Sequence, residues 1–206
     1  MFESRAAEVD ESQLPGETPT DYVLRLAESK ARACAASLNN GRIQSSDEDL
    51  IILAADTAVV DRKAILGKPK DKADAEIMLK QLRSRTHQVY TGLVVMRLSD
   101  GNFCTDLCVT DVPMRFYSDK EIDVYVATGD PLDKAGAYAI QHPGFHPVET
   151  ISGCYASVMG LPLCHLTRTL RKFKISPTTD ISSECQSRLN YTCPIFAAVL
   201  RGEQVG

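Results

Sequence analysis

The chain has no run of about 18 apolar residues, the length a membrane-crossing helix needs, so nothing in it is expected to span a membrane. Its start, MFESRAAEVDESQLPGE, is acidic and lacks an apolar core, so no secretory leader is expected there. Charge of one sign is also lacking. With 23 basic and 27 acidic residues the net charge is −4, which gives no general affinity for nucleic acid or anionic membrane. Any anionic ligand must therefore be held by local cations. There is no G-x-x-x-x-G-K-[ST] loop, which excludes a Walker-type nucleotide site, and there are no internal repeats. Cysteine is present, but the count of seven is odd and the residues are scattered. That pattern favours free thiols in a reducing cytoplasm over a disulfide framework.

At 206 residues the chain has the size of one domain, or of one domain and a tail. Thr18-Pro19 opens a helix whose apolar stripe runs Val23, Leu26, Ala27, Ala31, Cys34 and Leu38, with Gly41 placed to close it. Lys30 falls on that stripe. The polar stretch GRIQSSDED reads as a loop before a strand that starts near Leu50. This strand is apolar on both faces and reads as central and covered on both sides. A turn and a short excursion follow over residues 61–70, and Asp71 caps a second helix. HQVYTGLVVMRL and FCTDLCVTDVPMRF read as antiparallel partners joined by a turn at Ser99–Asn102. Ser118 and Glu121 have capping-box spacing for a helix that Gly129 ends, and Pro162 starts an amphipathic helix running to about Phe173. From Ser176 onward the chain is rich in Ser and Thr and loses periodicity; the apolar piece CPIFAAVL is left open between a strand, a short helix and disorder. The alternation of helices and strands argues for an α/β fold with a mixed sheet flanked by helices.

One acid stands out. Six apolar residues, Leu50 to Ala55, lead straight into Asp56, after which the apolar character resumes. Burying an unpaired carboxylate costs several kcal/mol, so this one needs a partner or a purpose. The reading puts Asp56 at the strand's carboxyl end, where ligands of open α/β sheets gather. Three lysines sit at element boundaries or on apolar faces: Lys30, Lys68 and Lys134. Glu8, Asp10 and Glu11 precede the first helix. Lysines that neutralise phosphate oxygens, with carboxylates that hold a divalent cation or position water, form a consistent set for a polyphosphate. The bland readings are a lysine snorkelling past core residues and an acid capping a turn. Cys104 and Cys108 fit a strand rather than a metal pair. His142 and His146, considered with Cys154, are separated by Pro143 and Gly144, which favours a loop over a zinc site.

The segments VDESQLPGETPTDYVLRLAESKA, AADTAVV, LGKP, RTHQVYTG, PLDKAGAYAIQ and VMGLPL, in this order and spacing, resemble the Maf family over about residues 5–175. The resemblance implies an elongated mixed sheet with a central cleft, similar to the inosine-triphosphate pyrophosphatases. It also implies hydrolysis of a nucleoside triphosphate to the monophosphate and pyrophosphate with a divalent cation, Mg²⁺ or Mn²⁺. By resemblance Asp56 is the proton acceptor, Glu11 joins Asp56 at the metal, and Lys30 and Lys68 contact the triphosphate. Thr57 and Gln141 look like the branch acting on dTTP and UTP, and Asp133-Lys134 lies near base and phosphates. The family normally opens with a Ser-x-Ser-Pro-Arg-Arg loop that this chain starts after, and Ala54 stands at a common glycine position. HPGFHPVETISGCYASVMG replaces a more glycine-rich version. The expectation is therefore an amino-terminally shortened domain over residues 1–175 with a tail at 176–206. It is expected to be cytoplasmic, with no nucleic-acid partner and with room for a homodimer. The rival reading is a catalytically impaired nucleotide-binding or division-regulating protein; a phosphomonoesterase fits the spaced lysines less well.

Overall fold

The computed structural model describes residues 2–40 and 50–206. The expected loop at 41–49 and the helix stop at Gly41 lie outside the described residues. Helix α1 spans Pro19–Asn40, and the Thr18 hydroxyl accepts from the Asp21 amide at 3.2 Å as its cap. Strand β1 is Ile51–Asp61, β2 is Ala64–Leu66, α2 is Lys72–Leu82, β3 is Thr86–Arg97 and β4 is Phe103–Pro113. Asp71 caps α2 through the Asp74 amide, and Ser118 with Glu121 forms the capping box that starts α3, Asp119–Ala127. Two tight 3₁₀ turns cover Asp130–Asp133 and Ala135–Ala137. Four further helices follow: α4 (Tyr155–Val158), α5 (Leu163–Lys172), α6 (Ile181–Leu189) and α7 (Phe196–Leu200).

The strands form one sheet in the order β2-β1-β3-β4. The mixed sheet expected from the alternation of elements is antiparallel at every pairing among the described residues. The cause is local: β1 turns into β2 through Arg62 and Lys63, both at positive φ (49° and 74°), and β3 turns into β4 through Gly101 at φ 69°. Tight hairpin turns of this kind return a strand beside its predecessor in the opposite direction. The strand expected to be central lies between β2 and β3, with α1 on one face and Val59 in the large cluster on the other, but its first half is open at one edge. β3 pairs with β1 from Ile51 to Val60, whereas β2 reaches only Val59–Asp61. On the face opposite α1, Leu53 near the start of β1 is left uncovered and is 48% exposed.

Paired residues on neighbouring strands share a face, so the two sides of the sheet can be read from the register. On one side α1 lays Ala27 and Ala31 on Ile52, Val94 and Met96, and Val23 on Ala58 and Val60. On the other side Val59, Val89 and Val112 meet Ala75, Leu79 and Leu82 of α2, Ile122 and Tyr125 of α3, and Phe145. Each fully buried leucine there contributes about 1.5–3 kcal/mol. The buried Asp106 on β4 is clamped by Arg168 of α5 at 2.5 Å through two nitrogens and accepts from Thr169, which ties the last third of the chain to the sheet. The apolar piece CPIFAAVL, open between strand, short helix and disorder in the sequence, supplies the helix α7; α6 precedes it, and both pack on α5. No helix among the described residues is long and apolar enough to cross a membrane.

Candidate active site

Asp56 is not at the end of its strand. The apolar residues Ala58, Val59 and Val60 carry β1 five residues further, so the acid sits in mid-strand, beyond the reach of β2, on the open edge. It faces α1 and is 9% exposed. Its register partner on β3 is Gly92. A Cβ built on Gly92 would stand 2.8 Å from the backbone carbonyl carbon and oxygen of Val23, so only glycine lets α1 lie this close to the sheet. That close approach brings Lys30, two turns along the helix, to Asp56.

Lys30 Nζ donates to Asp56 Oδ1 at 2.6 Å and lies 2.8 Å from Glu11 Oε1, so one ammonium bridges two carboxylates. Burial raises the pKa of Asp56 above the ordinary carboxylate range, against the opposing pull of Lys30. Burial also opposes the charge on Lys30, but its hydrogen bonds to Asp56 and Glu11 outweigh this and raise its pKa. The ammonium is thus firmly charged, while Asp56 holds its proton more readily than a carboxylate in water. Glu11 is delivered by a segment stapled to α1. Tyr22 donates its hydroxyl to the Glu11 carbonyl at 2.9 Å, and Arg25 holds the Ser12 carbonyl at 3.0 Å and both carboxylate oxygens of Glu17.

Next along β1, Thr57 points to the opposite face. Its hydroxyl is 2.9 Å from that of Thr91, which donates to the Ser157 carbonyl at 2.9 Å. Gly160, at φ 103°, passes close to the Thr57 hydroxyl, so Thr57 borders the VMGLPL turn. Lys68 is exposed on the loop after β2. Its loop is joined to the Lys134 segment by the Gly136 amide, which donates to the Gly67 carbonyl at 3.0 Å, and Gly136 is pressed on the side chain of Val59. Lys134 is already engaged with Asp133 at 2.7 Å and Asp130 at 3.1 Å, contacts that raise its pKa. Gln141 is exposed on a turn. The fold therefore joins Glu11, Lys30 and Asp56 directly and places Thr57 next along β1 with its side chain on the other face of the sheet. The segments of Lys68 and of Asp133-Lys134 lie near the later part of β1, and neither they nor the exposed Gln141 make a hydrogen bond to the central three among the described residues.

Tyr22, Arg25 and Thr91 were missed as site residues. Tyr22 and Arg25 lie on α1 three residues apart, a spacing shared by any surface pair, and Thr91 is an ordinary strand residue. Only the register and the helix approach single them out. His142 is occupied in its own loop: its Nδ1 accepts from the amides of Phe145 at 2.9 Å and Gly144 at 3.3 Å, as the loop reading expected.

The fold and the site define an α/β protein with its charged centre on the open edge of an antiparallel sheet, one lysine bridging two acids across a helix–strand seam. The chain belongs to the Maf family: the model described as Maf-like protein matches residues 1–173. It is similar to the dTTP/UTP pyrophosphatase of Geobacter sp. (strain M21), 47% identical over 171 residues that cover 83% of this chain and 84% of the relative. The dTTP/UTP pyrophosphatase of Geotalea uraniireducens is 45% identical over 171 residues, with the same coverage of 83% and 84%. That of Pasteurella multocida is 42% identical over 168 residues, covering 82% and 83%.

Proposed function

We propose that this chain hydrolyses dTTP or UTP to the nucleoside monophosphate and pyrophosphate. The observation that carries the reading is the Glu11–Lys30–Asp56 contact on the open edge of β1, with both acids within 2.8 Å of one ammonium. The names of the relatives supply the substrate. Water attacks the α-phosphorus, Asp56 accepts its proton, and the bond from that phosphorus to the bridging oxygen breaks to release pyrophosphate. Burial makes Asp56 a stronger proton acceptor than a free carboxylate, as a general base requires. Because its pKa is raised, the rate rises with pH through a range above that of an ordinary carboxylate.

Two hard oxygen donors brought together on one cation suit a divalent ion, so Glu11 and Asp56 are the residues that would hold Mg²⁺ or Mn²⁺. Such an ion, when bound, supplies charge neutralisation for the triphosphate. Lys30 remains beside the reacting phosphate, Lys68 reaches it from the loop after β2, and Lys134 does so by exchanging Asp133 for phosphate. Thr57, braced by Thr91, borders the base subsite together with Gln141. Seven free cysteines suit a reducing cytoplasm.

The test is pyrophosphate release from a panel of nucleoside triphosphates with Mg²⁺ or Mn²⁺. dTTP and UTP should turn over fastest, and Asp56→Asn should reduce kcat by about 10²–10⁴-fold with the fold intact. Turnover undiminished in that variant removes Asp56 as the base. Lys68→Ala should lower kcat/KM, and an unchanged value takes Lys68 out of the site.

A further inference from the structure

The face of the sheet opposite α1 carries a second cluster of reactive groups, which the nucleotide site does not use. Cys108 of β4, Cys154 before α4 and His165 of α5 are far apart in sequence, yet their ligand atoms lie within 4.8 Å of one another and all three residues are buried. His165 is fully buried. Its Nε2 sits 3.1 Å from the Val205 carbonyl, which can only accept, so Nε2 carries the proton and Nδ1 presents a lone pair. Among the described residues that buried Nδ1 has no hydrogen-bond partner, and neither does the buried Ser157 hydroxyl. A histidine whose outer nitrogen donates to a backbone carbonyl while the inner one is free is oriented as metal-ligating histidines are. An unsatisfied buried nitrogen otherwise carries a desolvation cost with nothing to offset it.

We propose that Cys108, Cys154 and His165 form a three-ligand Zn²⁺ site. Two sulfurs and one imidazole nitrogen are the donor set of a borderline-soft ion, not of the hard ion that Glu11 and Asp56 would hold. Around tetrahedral Zn²⁺, with Zn–S about 2.3 Å and Zn–N about 2.0 Å, such atoms stand roughly 3.4–3.8 Å apart, so the cluster needs only a small contraction. Binding converts both thiols to thiolates and releases two protons. A water would complete the fourth position of the ion. The ion would pin three elements and the segment around Val205 together. It would do so directly behind Thr91, the register partner of both Cys108 and Thr57.

The experiment titrates the full chain, reduced with a phosphine and freed of metal, with Zn²⁺ against a chromophoric chelator, and separately with Co²⁺. One equivalent per chain is expected. The Co²⁺ form should show thiolate-to-metal charge transfer and the intense visible bands of tetrahedral coordination, and X-ray absorption of the Zn²⁺ form should show two sulfur ligands. Cys108→Ser, Cys154→Ser and His165→Gln should each weaken binding by more than the roughly 10–100-fold typical of losing an outer partner, while Cys34→Ser should not. Absence of stoichiometric uptake by the unmodified chain overturns the proposal. So does uptake unaffected by the two serine variants, or a sulfur count other than two. The Co²⁺ spectrum and the sulfur count come from the unmodified chain and decide the matter even if a variant fails to fold.

Discussion

Asp56 illustrates how far a single residue can be read in advance. An acid inside an apolar run is conspicuous because its burial is costly, and the structure shows both the burial and the lysine that offsets it. Glu11, Lys30 and Asp56 were marked in the sequence, but the contact between them follows from the closeness of α1 to β3 and could not be read from spacing. Thr91 and Tyr22 gave no signal, since a strand threonine and a helix tyrosine are ordinary until register gives them partners. His87 is the residue whose titration matters most. It is 2% exposed, with Nε2 2.8 Å from the Tyr138 hydroxyl and Nδ1 without a partner among the described residues. Burial lowers its pKa from 6.5 to about 4. The unfolded chain therefore takes up this proton at higher pH than the folded one. The stabilisation is fully present above pH 6.5 and lost as the pH falls toward 4. Denaturant titrations at pH 7 and pH 4.5 should differ by up to about 3 kcal/mol from this group, and His87→Gln should flatten that part of the profile. A variant with the same pH slope as the unmodified chain would show that other groups control acid stability.

At the level of elements, the caps were legible because capping is local: Asp71, Ser118 and Thr18 do what their spacing announced. Helix α6 was not, because its signal is a single Asp180 whose carboxylate accepts from the Ser182 and Ser183 amides ahead of an unpatterned, mostly polar run. The end of β1 was misplaced because Asp56 looked like a stop, when the strand runs on to the Arg62-Lys63 turn. The helix–sheet seam supplies the prediction at this scale. In Gly92→Ala the added methyl meets the Val23 backbone, which has no side-chain rotamer to yield, so α1 must move away from β3. Overpacking of this kind costs about 1–3 kcal/mol. Pyrophosphate release should fall more steeply than thermal stability, because Lys30 moves with the helix. A G92A variant with undiminished kcat/KM would show that the spacing of α1 does not set the site.

Across the whole molecule the apolar interior is divided by the sheet. Helices α2 and α3 share one large cluster with Val59, Val89 and Val112, while α1 rests on two smaller ones built on Ala27, Ala31 and Val23. Glu11, Lys30 and the staples at Tyr22 and Arg25 all belong to α1 or to the segment before it; Asp56 alone belongs to the sheet. The helix side of the seam is built on Val23, Leu26, Ala27 and Ala31, all fully buried, and α1 is held through this one face only. A unit held on one face can open locally without the body it rests on unfolding. The active arrangement thus has a lifetime of its own, set by how long α1 stays down and not by the stability of the chain as a whole. Amide hydrogens of α1 should exchange faster than those of β3 and α2, and on warming, catalysis should fade before the sheet melts. Equal protection across α1 and β3 would mean that the site and the fold are lost together.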